Sequence, residues 1–158
     1  DKLFDDIGLK ILSTLQKHAR ISFSDLGRRV GLSSPAVAER IHKMEEAGYI
    51  REYRAVIDPE KVGFPITAFI NVTASVGKLG ELDDIVRSIP EVIEAYHLSG
   101  AEDLLLKIVA ATMTHLEDII NHIGNFGETK TSLVLSSPVT SRVITPISRS
   151  EGHKRELS

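Results

Sequence analysis

Apolar residues follow two rhythms along the chain, a helical one up to about residue 48 and a strand-and-helix alternation beyond residue 65. Ile7, Ile11, Leu12 and Leu15 recur at helical spacing behind Asp5 and Asp6, acids that favour a helix N-terminus, and predict a helix over 6–17. Ser24 is a candidate cap for a short second helix burying Leu26 and Val30, which Gly31 ends because glycine tolerates the positive φ of a tight turn. After Leu32, Ser33 or Ser34 caps a third helix, with Pro35 in its first turn and Val37, Ile41 and Met44 at i, i+4 and i+7 before Gly48. Residues 49–57 are rich in β-formers and are followed by Asp58-Pro59 and the Gly63-Phe64-Pro65 break, which predicts a wing hairpin and then a linker.

Beyond Pro65 the pattern reads strand (66–75), a helix burying Leu79, Leu82, Ile85, Val86 and Ile89, and strands at 92–98 and 103–110 around Ser99-Gly100-Ala101-Glu102. Thr114 and Glu117 form a candidate capping box for a helix burying Leu116, Ile119, Ile120 and Ile123, and 129–137 is a closing β run. The order βαββαβ is that of a ferredoxin-like split βαβ unit. The expected class is therefore α+β: a helix-turn-helix domain over 1–50, wing strand and linker over 51–65, the βαββαβ domain over 66–147 and a tail over 148–158.

Composition narrows the roles open to such a chain. Its 158 residues, 42% apolar and 26% charged, suffice for two small domains. Without cysteine there are no disulfides or thiolate metal sites, and apolar runs such as 104–106 and 108–111 are far shorter than the roughly 20 residues of a membrane helix. A cytoplasmic protein with no membrane partner is expected. The net charge of −3 argues against a nucleic-acid partner until its distribution is considered. Residues 17–54 hold eight Lys and Arg against five acids, whereas residues 65–158 carry a net −4. That split points to separate jobs for the two halves.

Two helices joined by Gly31-Leu32-Ser33, the second being the longer, match a motif whose second helix enters the major groove of double-stranded DNA. With Val37, Ile41 and Met44 buried, about 100° per residue puts Pro35, Ala36, Glu39, His42, Lys43 and Glu46 outward, with Ser34 at the N-terminal end. Glu39 suits a cytosine amino group and Lys43 a guanine or a phosphate. Arg40, at the edge of the stripe, suits either an ion pair or a phosphate, and Arg28, Arg29, Arg51 and Arg54 suit phosphates. The competing reading is a three-helix domain that binds protein partners.

The run from Gly31-Leu32-Ser33 through Val37, Arg40-Ile41, Met44-Glu45 and Gly48 to Ile50 resembles the Lrp/AsnC, or feast/famine, regulators, as do Asp6 to Leu12 and Leu15 to Ser22 upstream. His97 to Lys107 and Thr129 to Leu135 are similar to later motifs of the same family, so the likeness spans about residues 3–145. The resemblance implies an ACT-like sensing domain that dimerises through its sheet, assembles further (an octamer is expected), and binds an amino acid between dimers. It needs no cofactor. It places the ligand role on Ser99, Gly100, Ala101, Glu102 and Asp103 in the turn and on Ser132, Leu133 and Val134 in the last strand. A glycine-bearing turn exposes backbone groups that suit an ammonium and a carboxylate. Asp103 fits either the ammonium or a strand-start role satisfied by backbone amides. Ala101 and Leu104 depart from the family pattern, where an acid or amide and an aromatic are common.

Catalysis and metal binding are not expected. His115 and His122 stand seven apart on one predicted helix, roughly 10 Å, too far to share an ion, and His97 is expected to be a partly buried strand residue. No nucleophile elbow, phosphate loop or dinucleotide fingerprint occurs.

Overall fold

The computed structural model describes residues 3–145 and divides into two compact units, one holding residues up to Ala55 together with the segment from Val139, the other Val56–Pro138. The expected tail over 148–158 lies outside the described residues. The second boundary differs from expectation, because residues 139–145 belong with the first unit. Gln16 holds them there: its amide nitrogen donates to the Ile144 carbonyl at 2.9 Å, and its oxygen accepts from the Ile144 N–H at 2.7 Å.

In the first unit, α1 (Asp6–Lys17), α2 (Phe23–Val30) and α3 (Ser34–Glu46) enclose Ile11, Leu15, Leu26, Val37, Ile41 and Met44. Asp5 caps α1 by accepting from Gly8 N–H at 2.8 Å. The cap of α2 is Ser22 rather than Ser24. Ser22 has the extended backbone (φ −69°, ψ 152°) from which its hydroxyl reaches Asp25 N–H, and Ser24 already lies inside the first turn. Ser33 caps α3. The turn between α2 and α3 depends on two glycines. Gly31 sits at φ +76°, and the Gly27 carbonyl accepts from both Gly31 and Leu32 N–H. A Cβ on Gly27 would collide with the Leu32 carbonyl oxygen, so the helix and the returning chain touch backbone to backbone.

The wing strand expected within 51–57 does not form. No strand among the described residues pairs with this segment, and its residues are exposed, so water satisfies backbone groups that a ladder would have engaged. Tyr53 is anchored to the unit all the same. Although half its ring faces solvent, partial burial and a hydrogen bond to Glu45 push its hydroxyl up to about 12.

The second unit opens with a short 3-10 turn, Glu60–Val62, and continues as β1 (Ile66–Ala74), α4 (Leu79–Ser88), β2 (Val92–His97), β3 (Leu104–Ala110), α5 (Met113–Gly124) and β4 (Gly127–Leu133). The sheet order is β2-β3-β1-β4 with every pair antiparallel, the arrangement expected of a split βαβ unit. Alternation sets its faces. Ala68, Ile70 and Val72 of β1 and Leu104, Leu106 and Ile108 of β3 pack against Leu82, Val86, Leu116, Ile119 and Ile123 of the two helices. Phe69, Asn71, Leu105 and Lys107 alternate with them and take the opposite face.

Two element ends differ from expectation. Thr112, not Thr114, caps α5, because its extended backbone lets the hydroxyl accept from His115 N–H at 3.0 Å. Strand β4 begins at Gly127 and stops at Leu133, short of Ser137, with Val134 N–H making one further bond to the Thr67 carbonyl near the start of β1.

Candidate nucleic-acid interface and ligand site

The outer face of α3 is as the helical spacing predicts. Val37, Ile41 and Met44 are buried, Pro35, Glu39, His42, Lys43 and Glu46 are exposed, and Ser34 and Ala36 are half-buried beside the N-terminus. Along this face Lys43 Nζ donates to Glu39 at 2.6 Å, and that hydrogen bond holds the Glu39 carboxyl below its ordinary range. His42 Nε2 lies 3.3 Å from Glu46. Exposed pairs of this kind are weak and screened by salt, so they can exchange their carboxylate for a phosphate or a base edge.

Arg40 resolves differently from its neighbours. Its guanidinium pairs with Asp5, its side chain is only 19% exposed, and the pair ties α3 to the N-cap of α1. Of the two roles open to Arg40 in the sequence, the ion pair is the one formed. The Gly8 N–H and then Arg40 hold the Asp5 carboxyl below its usual value. Arg28 pairs with Asp25, whose carboxyl is lowered by Ser22 and then by Arg28. Arg54 lies 3.3 Å from Glu52, and Arg29 and Arg51 are exposed.

The residues assigned to the ligand fall into two groups. Ser99, Gly100 and Ala101 form an exposed turn, followed by half-buried Glu102 and Asp103. Asp103 is already engaged: its Oδ2 accepts from Ala74 N–H at 2.8 Å, its N–H donates to the Val72 carbonyl, and its carbonyl accepts from Leu98 N–H. The backbone-satisfied role foreseen for Asp103 is therefore present, and the carboxylate staples the turn to the end of β1. Glu102 lies 3.9 Å from Lys130 of β4. Ser132, Leu133 and Val134 sit elsewhere, opposite Phe69, Ala68 and Thr67. Along β1 these partners stand three to five residues from Val72, about 10–17 Å, so within one chain the two groups lie apart on the sheet.

A cavity of about 320 Å³ within the second unit escaped sequence reasoning; Ile57, Val62, Phe64, Ile93 and Val109 line it, with Glu91 as its charged member. The available signal was the apolar spacing of Ile57, Val62 and Phe64 inside a stretch read as linker. Beside it, Glu91 pairs with His115 Nε2 at 3.2 Å, and His115 Nδ1 accepts from Ala111 N–H. His97 is exposed on the edge strand, not partly buried as expected, and lies 3.4 Å from Asp83. Among the described residues no three His, Asp or Glu gather as a metal ion would need, and no helix is long and apolar enough to cross a membrane.

A helix-turn-helix with an exposed reading face, joined to a split βαβ unit, defines the class of ligand-responsive DNA-binding transcriptional regulators. The family models agree unit by unit: residues 4–51 match winged helix-turn-helix DNA-binding and residues 67–144 match the Lrp/AsnC ligand binding domain. The chain belongs to the Lrp/AsnC family. It is 31% identical to the HTH-type transcriptional regulator LrpC of Bacillus subtilis over 84% of this chain and 92% of LrpC. The structure of LrpC superimposes with a TM-score of 0.82, over 86% of this chain and 97% of that one. It is 38% identical to the B. subtilis regulator YezC over 84% of this chain and 94% of YezC. A Neisseria meningitidis transcriptional regulator solved with L-Met is 27% identical, with a TM-score of 0.83 over 89% of this chain and 95% of that one. These relatives disfavour the reading in which the helical unit binds only protein partners.

Proposed function

We propose that the effector is an α-amino acid held beside the turn 98–103, and that the site is completed by a second copy of the chain. The carrying observation is the separation of Ser132, Leu133 and Val134 from that turn along β1, which leaves one chain with two partial ligand surfaces. The N. meningitidis relative solved with L-Met supports the ligand class. The Asp103 carboxylate has lone pairs beyond the one that Ala74 N–H uses, enough for an ammonium, and the exposed turn backbone suits the carboxylate. The open face of the sheet, with Phe69 and Leu105 at its centre, is where two copies meet. Further assembly of such dimers would present several reading helices to one duplex, and avidity would offset a modest positive charge. On α3, Glu39, His42 and Lys43 read base edges, and Arg28, Arg29, Arg51 and Arg54 position the protein on phosphates. Arg40 braces the fold behind them.

Coupling follows from differential affinity: an amino acid that favours one assembly changes the spacing or number of reading helices and so the operator affinity. The test is a fluorescence-polarisation titration against the chain's own promoter region and a scrambled duplex at fixed salt, with and without a panel of amino acids. Selective binding shifted by one amino acid is expected. Asp103→Ala should abolish the shift while apo DNA affinity stays within about tenfold, and an unaltered shift would overturn the ligand assignment. Lys43→Ala should weaken binding and flatten the salt dependence; unchanged affinity and slope would remove Lys43 from the contacts.

A further inference from the structure

On the sheet face away from α4 and α5, half-buried Phe69 and Leu105 stand at the centre opposite Lys107 and Asn71 respectively, and Lys107 belongs to one compact polar group. Glu94 of β2 stands opposite Lys107 of β3, and Tyr96 stands opposite Leu105. Lys107 Nζ donates to Glu94 Oε1 at 3.1 Å, while the Tyr96 hydroxyl donates to Glu94 Oε2, so both carboxylate oxygens are engaged. The side chains of Lys107 and Glu94 are already reduced to 32% and 37% exposure by their neighbours. The β4 flank of the same face carries Glu128 and Lys130, again one acid and one base.

The kind of partner follows from this layout. Each flank is neutral within one chain, so an identical face can be laid on it in either two-fold arrangement without setting net charge against net charge. A strongly acidic or basic partner would find nothing to answer its field. The polar group then has a particular effect. In water an exposed Glu–Lys pair contributes little. Covered by a second sheet it becomes a desolvated network, costly to disturb unless every member keeps its partner. A stacking that slides across the sheet would drive an apolar side chain onto the Glu94 carboxylate or the Lys107 ammonium. Phe69 and Leu105 alone would tolerate many alignments, because apolar contact is non-directional.

We propose that Glu94, Lys107 and Tyr96 act as a register pin: they select the single sheet-on-sheet alignment of two copies of this chain. The inference rests on the reading that the open face is where two copies meet. Its role is specificity, and it is separable from affinity.

Sedimentation velocity across a concentration series gives the self-association constant, and a spin label on Asp118→Cys, exposed on α5 away from the open face, in a chain with no other cysteine, gives the inter-copy distance distribution. Lys107→Met, which strands a covered carboxylate, should weaken association by at least about tenfold with the monomer's thermal melt unchanged, and Glu94→Gln should do so less. The double variant Glu94→Leu/Lys107→Met should regain association to within a few-fold of wild type, but with a broad or multiple distance distribution in place of one narrow peak. If every variant associates like wild type with the same narrow peak, the cluster faces solvent and the proposal is wrong. If the double variant is as weak as the single ones, the cluster supplies affinity and not alignment, which also overturns it. A wild-type chain that stays monomeric at all concentrations would sink the reading of the face itself.

Discussion

The reading face of α3 and the ligand surfaces of the second unit are built at different ranges along the chain. Every outward side chain of α3 comes from one run of thirteen residues, and Arg28 and Arg29 come from the helix just before it. The proposed ligand residues come from a turn near residue 100 and a strand end near residue 133, and they are related through the hydrogen-bond register of β1 and the contact of Glu102 with Lys130. A surface made by one helix is set by periodicity and is altered one side chain at a time. A surface made by register depends on packing far from it, and here it is left in two parts.

The largest expected effect tests whether these two constructions fail separately. Leu106, fully buried in β3, should cost about 2–5 kcal/mol when cut to alanine, and the loss should be confined to the second unit. Native-state hydrogen exchange reads this directly, and equal loss of protection in α3 would erase the distinction. Gly27→Ala should then damage the local construction by about 1–3 kcal/mol, because its Cβ meets the Leu32 carbonyl and displaces α3 relative to α2. Operator affinity should fall with stability; a variant as stable as wild type by chemical denaturation would show that the turn can relax. Thr112→Ala, which removes the α5 cap, should cost about 1 kcal/mol in the second unit's thermal melt and leave the first unit's melt in place.

The smallest effect is a pH dependence of the first unit. Asp5 titrates below its ordinary 3.8 when folded, so its contribution is complete above that value and is lost as pH falls further through the folded value. Asp5→Asn should remove that contribution at neutral pH, lowering the first unit's stability slightly there, and flatten acid unfolding in that window so that variant and wild type converge at the lowest pH. An identical acid transition in the variant would show that other carboxylates govern it.

What was legible from the residues follows the same division. The bounds of α1, the buried stripe of α3 and the presence of four strands in the order βαββαβ follow from spacing, and the sheet order follows only by way of the split βαβ unit that this order matches. Two caps were displaced by two residues each, Ser22 for Ser24 and Thr112 for Thr114, because a hydroxyl caps only from an extended backbone and sequence lists both hydroxyls equally. The segment 51–57 has strand-forming side chains but no partner strand, and propensity does not supply one. Asp103 is expected from the sequence either at the ligand or in a backbone-satisfied role, yet its bond to Ala74 joins positions twenty-nine apart and is visible only in three dimensions. The Ile57–Phe64 side of the cavity was hidden for the same reason.

The pairing of Gln16 with Ile144 has a consequence for how the molecule is strung together. The chain leaves the first unit after Ala55 and re-enters it at Val139, so the ligand-binding unit is an insertion within the DNA-binding one and not a pendant at its end. Such an insert hangs from two threads. The chain beyond β4 therefore ends its described course on the first unit, where the hydrogen bonds of Gln16 with Ile144 tie it to α1.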